Sequence, residues 1–255
     1  MDWIAIASGF GVGAIVGMTG VGGGSLMTPL LISAFKLNPA VAIGTDLWFA
    51  ALTKTSGSIA HHRHGNVDYR ISGLLLAGSI PASIATVALM HATGLTKGWA
   101  SALTVSLGVA LLLTALTVAY RQAWHAVGLK LERWVPEARK PLLTVLSGLV
   151  LGVLVSLSSI GAGAIGATLI LLLYPRIQAR RIVGTDIAHA VPLTLVAGIG
   201  HATLGHVDWA LLVWLLMGSI PGIWLGAQLT RQLPDRLVRG LLCVSLLTAG
   251  WKVIV

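Results

Sequence analysis

Four ionisable side chains fall inside stretches that are otherwise apolar: Asp46, Lys54, Asp186 and His189. Charge placed in hydrocarbon is costly, so such residues mark ion or substrate pathways by default. Lys54 follows Asp46 by about two helical turns, and His189 follows Asp186 by about one. The set offers an ammonium to attract an anion, with Asp46, Asp186 or His189 to take up and release a proton. The aspartates also admit a second reading, because Thr45-Asp46 and Thr185-Asp186 are residue types that cap helix starts. Two glycine clusters form the other chemical feature: Gly20 with Gly22-Gly23-Gly24, and Gly161-Ala162-Gly163. A glycine-rich turn presents backbone N–H groups, and a helix beginning there adds a positive dipole end. Two such turns suit an anion. Thr19, Gly22, Gly23, Gly24, Ser25, Thr45, Lys54, Ser158, Gly161, Gly163 and Thr185 are therefore the candidate substrate-binding residues. The competing role for the glycines is close helix packing in a membrane.

These residues need a membrane around them, and composition supplies the argument. The chain has 255 residues, 56% hydrophobic and only 10% charged, against about 25% charged in soluble domains. That deficit leaves no polar coat for a water-facing surface. Net charge is +9, but the basic residues are not pooled in a tail or stripe, which excludes a nucleic-acid footprint. Membrane lipid and a small anion are the partners implied. The single cysteine, Cys243, lies in an apolar run and reads as packing. Met1-Asp2-Trp3 lacks the basic start of a cleaved signal peptide, so the first segment is expected to stay.

The chain repeats itself. Gly44-Thr45-Asp46 recurs as Gly184-Thr185-Asp186, His61 as His201, Gly65-x-Val67-Asp68 as Gly205-x-Val207-Asp208, and Gly78-Ser79-Ile80-Pro81 as Gly218-Ser219-Ile220-Pro221. One register carries all four. Upstream, with one residue inserted, Thr19–Gly24 lies over Ser158–Gly163. Residues 1–120 and 141–255 are thus two copies of one unit, joined by a linker over 121–140. Trp124, Val127, Leu131, Trp134 and Val135 fall on one helical face of that linker, with Arg121, Lys130 and Arg133 elsewhere. It reads as an amphipathic helix on the cytoplasmic membrane surface.

Each unit opens with an apolar stretch, 3–35 or 141–174, too long for one crossing and too short for two. About 20 residues span the hydrocarbon, and each stretch is interrupted at its glycine cluster. A broken or re-entrant helical hairpin fits. Three further spans follow in each unit, near 39–60, 71–93 and 99–120, and near 182–204, 207–230 and 236–255. Pro81 and Pro221 sit inside the middle spans, where proline kinks a helix. If the opening stretch crosses once, basic residues divide evenly between the two sides. If it is re-entrant, Lys36, Lys97 and Lys252 face one side and every other Lys or Arg outside a span faces the opposite one. Only the second arrangement shows positive-inside bias. The expected fold is an all-α integral membrane protein of two inverted repeats, with both termini outside. Such repeats place substrate at the midplane, where broken helices meet.

His61, His62, Arg63 and His64 cluster at a span end, matched by His201 and His206. No cysteine pairs or carboxylates join them, so they read as loop residues and no metal centre is assigned. A metal-ion permease and a passive anion channel are the rival transport readings. No Walker-type loop is present, and no nucleophile–base pair suggests an embedded enzyme. No cofactor is implied. Together the Thr19–Gly24 stretch, Gly44-Thr45, His61 with Gly65-x-Val67-Asp68, and their second copies resemble the sulfite exporter TauE/SafE family, also called the toluenesulfonate uptake permease group. That resemblance implies a multi-pass permease of the bacterial inner membrane for sulfur-containing anions, among them sulfite and organosulfonates. Many members carry Ser after Gly-Thr, where this chain has Asp46 and Asp186, and the second glycine cluster is Gly-Ala-Gly.

Overall fold

The computed structural model describes residues 2–19, 24–94, 97–229, 240 and 243. They are helical, without a strand among them. The order is α1 (Asp2–Thr19), α2 (Gly24–Ser33), α3 (Pro39–Arg63), α4 (Tyr69–Thr93), α5 (Lys97–Ala119), α6 (Arg121–Leu131), a 3₁₀ turn (Glu137–Arg139), α7 (Lys140–Ser158), α8 (Ala164–Leu173), α9 (Ala179–Thr203) and α10 (Trp209–Leu229). The expected spans over 39–60, 71–93, 99–120, 182–204 and 207–230 correspond to α3, α4, α5, α9 and α10. The last, 236–255, lies outside the described residues. Tyr69–Thr93, Ser101–Ala119, Glu137–Ser158, Ala179–Thr203 and Trp209–Gly226 are long and apolar enough to cross a membrane.

Each opening stretch is two helices rather than one. The second break is visible residue by residue. Ser159 takes φ 59°, Gly161 φ 131° and Gly163 φ 145°, and the last two values suit glycine, which lacks a Cβ. Beyond the break, α8 doubles back along α7. Thr144 Oγ1 and the Tyr174 hydroxyl lie 2.9 Å apart, whereas a straight helix would separate these residues by about 45 Å. In the first unit α1 stops at Thr19 and α2 starts at Gly24, at the matching cluster.

Two helix pairs interlock through missing side chains. A Cβ at Gly148 would lie 2.2 Å from Leu75 O, and one at Gly152 would lie 2.3 Å from Ser79 O. Ser156 Oγ donates to Ser83 Oγ at 2.8 Å one turn further on. Numbers rise together, so α4 and α7 run parallel. The other pair repeats this: a Cβ at Gly9 would lie 2.1 Å from Leu215 O and one at Gly13 2.5 Å from Ser219 O, so α1 and α10 also run parallel. Small residues at these crossings let backbones touch, the usual basis of helix association in lipid.

Between the two pairs, α3 and α9 run antiparallel. Thr185 Oγ1 accepts from Asp68 N–H at 2.9 Å, and Thr45 Oγ1 accepts from Asp208 N–H at 2.9 Å. Each hydroxyl thus holds the loop that leaves the other helix. Leu47, Phe49, Ala51, Ala190, Leu193 and Ala197 are fully buried. This enclosure lets α3 carry Asp46 and Lys54, because protein rather than lipid surrounds them.

The linker differs from expectation. Its helix α6 ends at Leu131, so Trp134 and Val135 do not extend the apolar face, and Trp134 is 84% exposed. Arg133 and Trp134 N–H close tight turns onto Lys130 O and Leu131 O. Pro136, which disfavours helix in the residue before it, then stops the helix. Arg176 Nε pairs with Glu132 at 3.0 Å and Arg181 with Asp68 at 3.1 Å. The linker, the α3–α4 loop and the α8–α9 loop therefore share one end of the molecule.

Candidate functional site

Asp46 and Asp186 are not helix caps. They lie inside α3 and α9, which begin at Pro39 and Ala179. The capping aspartates are Asp68 and Asp208, which accept from Ile71 N–H at 3.3 Å and Leu211 N–H at 3.0 Å. Asp46 is fully buried, with Asp186 2% and His189 0% exposed. Thr28 of α2 donates to Asp46 Oδ2. Ser159, in the second break, also faces Asp46.

Lys54 ties the two units together. Its Nζ, on a side chain 8% exposed, donates at 2.5 Å to Ala162 O, in the middle of the second break. Asp46, Asp186 and His189 all lie within electrostatic reach of this ammonium. No carboxylate among the described residues comes within 4 Å of it, so it is not locked into an ion pair. A buried charge with one carbonyl partner has unused hydrogen-bonding capacity, since an ammonium carries three donors.

Asp186 stands against α8. A Cβ at Gly166 would lie 2.0 Å from Asp186 Oδ1, so the glycine is what gives the carboxylate its place. Oδ1 is buried without a hydrogen-bond partner. Asp46 Oδ1 is likewise unpartnered; Asp46 differs in the bond that Thr28 donates to its Oδ2, and the repeat explains it. The position equivalent to Thr28 is Ala167, which has no hydroxyl to offer. His189 Nε2 lies 3.0 Å from Ser79 Oγ of α4, and its Nδ1 has no partner. The equivalents of Lys54 and His189 are Thr194 and Phe49, so the two half-sites differ chemically.

Other expected site residues fall into supporting places. Ser158 is buried and spans the break, donating to Leu154 O at 2.7 Å and accepting from Ile160 N–H at 3.2 Å. Gly161 O and Gly163 O accept from Gly166 and Ala167 N–H at 2.8 and 3.0 Å, which starts α8. Thr45 and Thr185 hold loops, as described above. Ser25 is buried near the start of α2, and Gly24 is its first residue. Thr19 ends α1, while Gly22 and Gly23 lie outside the described residues. Thr28, Ser79, Ser159 and Gly166 reach this centre without having been singled out in sequence. Two of them had a signal: Ser79 lies in the recurring Gly-Ser-Ile-Pro motif, and Ser159 beside the second glycine cluster.

The histidines near the span ends are placed differently. His201 Nε2 meets Ser156 O at 2.9 Å, and its Nδ1 lies 3.4 Å from His206 Nδ1. His62 Nδ1 bonds the Tyr69 hydroxyl. The structure does not bring them to Lys54.

Residues 5–253 match the family described as sulfite exporter TauE/SafE. The chain is 37% identical over 252 residues, 98% of each chain, to the probable membrane transporter protein YjnA of Bacillus subtilis strain 168. It is 30% identical over 244 residues to the probable membrane transporter protein YdhB of the same strain, covering 94% of this chain and 95% of that one. No solved structure matches it.

Proposed function

The chain belongs to the sulfite exporter TauE/SafE family, and on that premise we propose that it is a proton-coupled secondary transporter of a small sulfur-containing anion, of sulfite or organosulfonate type. The observation that carries this reading is the buried Lys54 ammonium at the second helix break, bonded among the described residues to one carbonyl and to no carboxylate. An oxyanion entering there can take the remaining donors, and charge-assisted bonds of this kind are strong. Asp46, Asp186 and His189 lie within its electrostatic reach; Thr19, Gly22, Gly23, Gly24, Ser25, Thr45, Ser158, Gly161, Gly163 and Thr185 are the further residues assigned to the substrate site.

Charge counting supports coupling to protons. Two ionised aspartates and one ammonium leave the centre at −1, and an anion would add to that. A proton on one carboxylate restores neutrality before the anion enters. Asp186 suits this role: Oδ1 of both aspartates is buried without a hydrogen-bond partner, but Asp46 is held through Oδ2 by Thr28. Proton and anion then move together.

The inverted-repeat reading draws its support from helix directions. The α7–α8 chain turns back on itself, so α9 starts at the end where α7 starts and runs the same way. With α10 opposite to α9, and α1 parallel to α10, the first unit runs opposite to the second. This agrees with the charge bias that puts both termini outside a bacterial inner membrane. Units 1–120 and 141–255 then meet at the midplane around Lys54, and 121–140 lies on the cytoplasmic face.

The test is uptake of sulfite, thiosulfate, sulfate and small sulfonates into proteoliposomes, with and without a pH gradient. Wild type should move a sulfur oxyanion faster with the gradient, and Lys54→Ala, normally inserted, should lose about tenfold or more of that rate, as loss of a charged hydrogen bond worth about 1.5–3 kcal/mol implies. Unchanged uptake by the variant would refute the role of Lys54. Uptake indifferent to the gradient would favour a passive channel.

A further inference from the structure

One end of the molecule carries a second basic feature, away from Lys54. A cavity of about 560 Å³ opens between the α3–α4 loop and the α8–α9 loop, lined among others by His64, Asn66, Arg176, Gln178, Arg180 and Arg181. Two of the arginines are oriented by carboxylates: Arg176 by Glu132 and Arg181 by Asp68. Arg180 is not. Its Nε donates to Gln178 Oε1 at 2.8 Å, and no carboxylate among the described residues lies within 4 Å of its guanidinium. Three guanidinium groups against two carboxylates leave the cavity net positive.

The repeat shows that the fold itself does not require this charge. The positions equivalent to Arg176, Arg180 and Arg181 are Lys36, Ala40 and Val41, and the equivalent of His64 is Leu204. The same backbone arrangement thus forms at the opposite mouth with one cation in place of three arginines. The cavity also lies above the candidate site. The Asn66 carbonyl packs on Gly184, where a Cβ would meet it at 2.3 Å, and Gly184 is two residues from Asp186. Arg181 precedes Asp186 by five residues, about 7.5 Å along α9.

We propose that this arginine-lined cavity is a vestibule that captures the transported oxyanion at one mouth before it passes to Lys54. This rests on the anion-transport reading above. The vestibule gathers anions by charge, as a funnel does, and leaves the rate of the buried step to Lys54 and its neighbours. A basic funnel raises local anion concentration by about tenfold or more at low ionic strength, and salt screens it over about 10 Å at 0.1 M.

The experiment measures sulfite uptake from each face of uniformly oriented protein in zwitterionic vesicles at low salt. For Arg180→Gln, the half-saturating sulfite concentration should rise at least about threefold from the vestibule face, with the maximal rate unchanged and the opposite face unaffected. Arg180→Lys, which keeps the charge, should behave as wild type, and about 0.5 M NaCl should remove the difference. An unchanged half-saturation on the vestibule face, or an equal change on both faces, overturns the proposal. So does an effect that appears only when anionic lipid is included, because the cavity would then be a headgroup site. If wild type moves no sulfite, it is the transport reading that fails. Calorimetric titration of sulfate onto the detergent-solubilised protein then decides the vestibule alone. Saturable binding lost in Arg180→Gln upholds it, and equal binding by both proteins overturns it.

Discussion

Replacing Gly166 by alanine puts a methyl group where Asp186 now sits. The new Cβ would lie 2.0 Å from Asp186 Oδ1, and ordinary contact begins near 3.4 Å. The carboxylate must therefore retreat by about 1.4 Å in a fully packed interior. Overpacking of this kind costs about 1–3 kcal/mol. Where the carboxylate acts directly in transport, that energy corresponds to a fall of about 5- to 150-fold in rate or affinity. The assay is sulfite uptake in proteoliposomes beside thermal unfolding in detergent. Gly73→Ala is the control, because Gly73 lies in α4 with nothing within 4 Å of its Cβ position. It should keep both activity and melting temperature. A Gly166→Ala protein that transports like the control would refute the placement of Asp186 in the pathway.

Ala167→Thr gives Asp186 the hydroxyl that Thr28 gives Asp46; it should raise the melting temperature and flatten the pH dependence of uptake. Thr185→Val removes the acceptor for Asp68 N–H and should cost about 1 kcal/mol in stability, read by unfolding, while most transport survives. His206, in the α9–α10 loop, has its pKa lowered from 6.5 by burial. Its unfolded form therefore binds a proton before the folded form does. Its stabilising contribution is present above pH 6.5 and is lost as pH falls below that value towards the lower folded pKa. His206→Asn, the residue found at the equivalent position 66, should reduce that acid sensitivity in a melting series across pH 5–8.

Much of this protein is legible in one dimension. Apolar run lengths mark the membrane helices, because the hydrocarbon thickness fixes how many residues a span needs. The recurrence of Gly44-Thr45-Asp46 as Gly184-Thr185-Asp186 marks two related units, and the glycine clusters mark where helices break, since φ values such as 131° and 145° at Gly161 and Gly163 suit glycine. Lys54, Asp46, Asp186 and His189 stand out because ionisable groups are rare in such stretches.

Partnership is what only the tertiary structure decided. Whether Asp46 begins a helix or lies inside one depends on where α3 starts, and residue type alone left both readings open. That Thr45 braces the loop at Asp208, and that Lys54 reaches Ala162 108 residues away, follow from α3 and α9 packing antiparallel across the two units. That Thr28 bonds Oδ2 of Asp46, while Asp186 faces Gly166 of α8, required seeing which helix faces each one. Local sequence sets which segments are helical and what they carry; long-range packing sets which polar groups satisfy one another, and so which are left to bind something else.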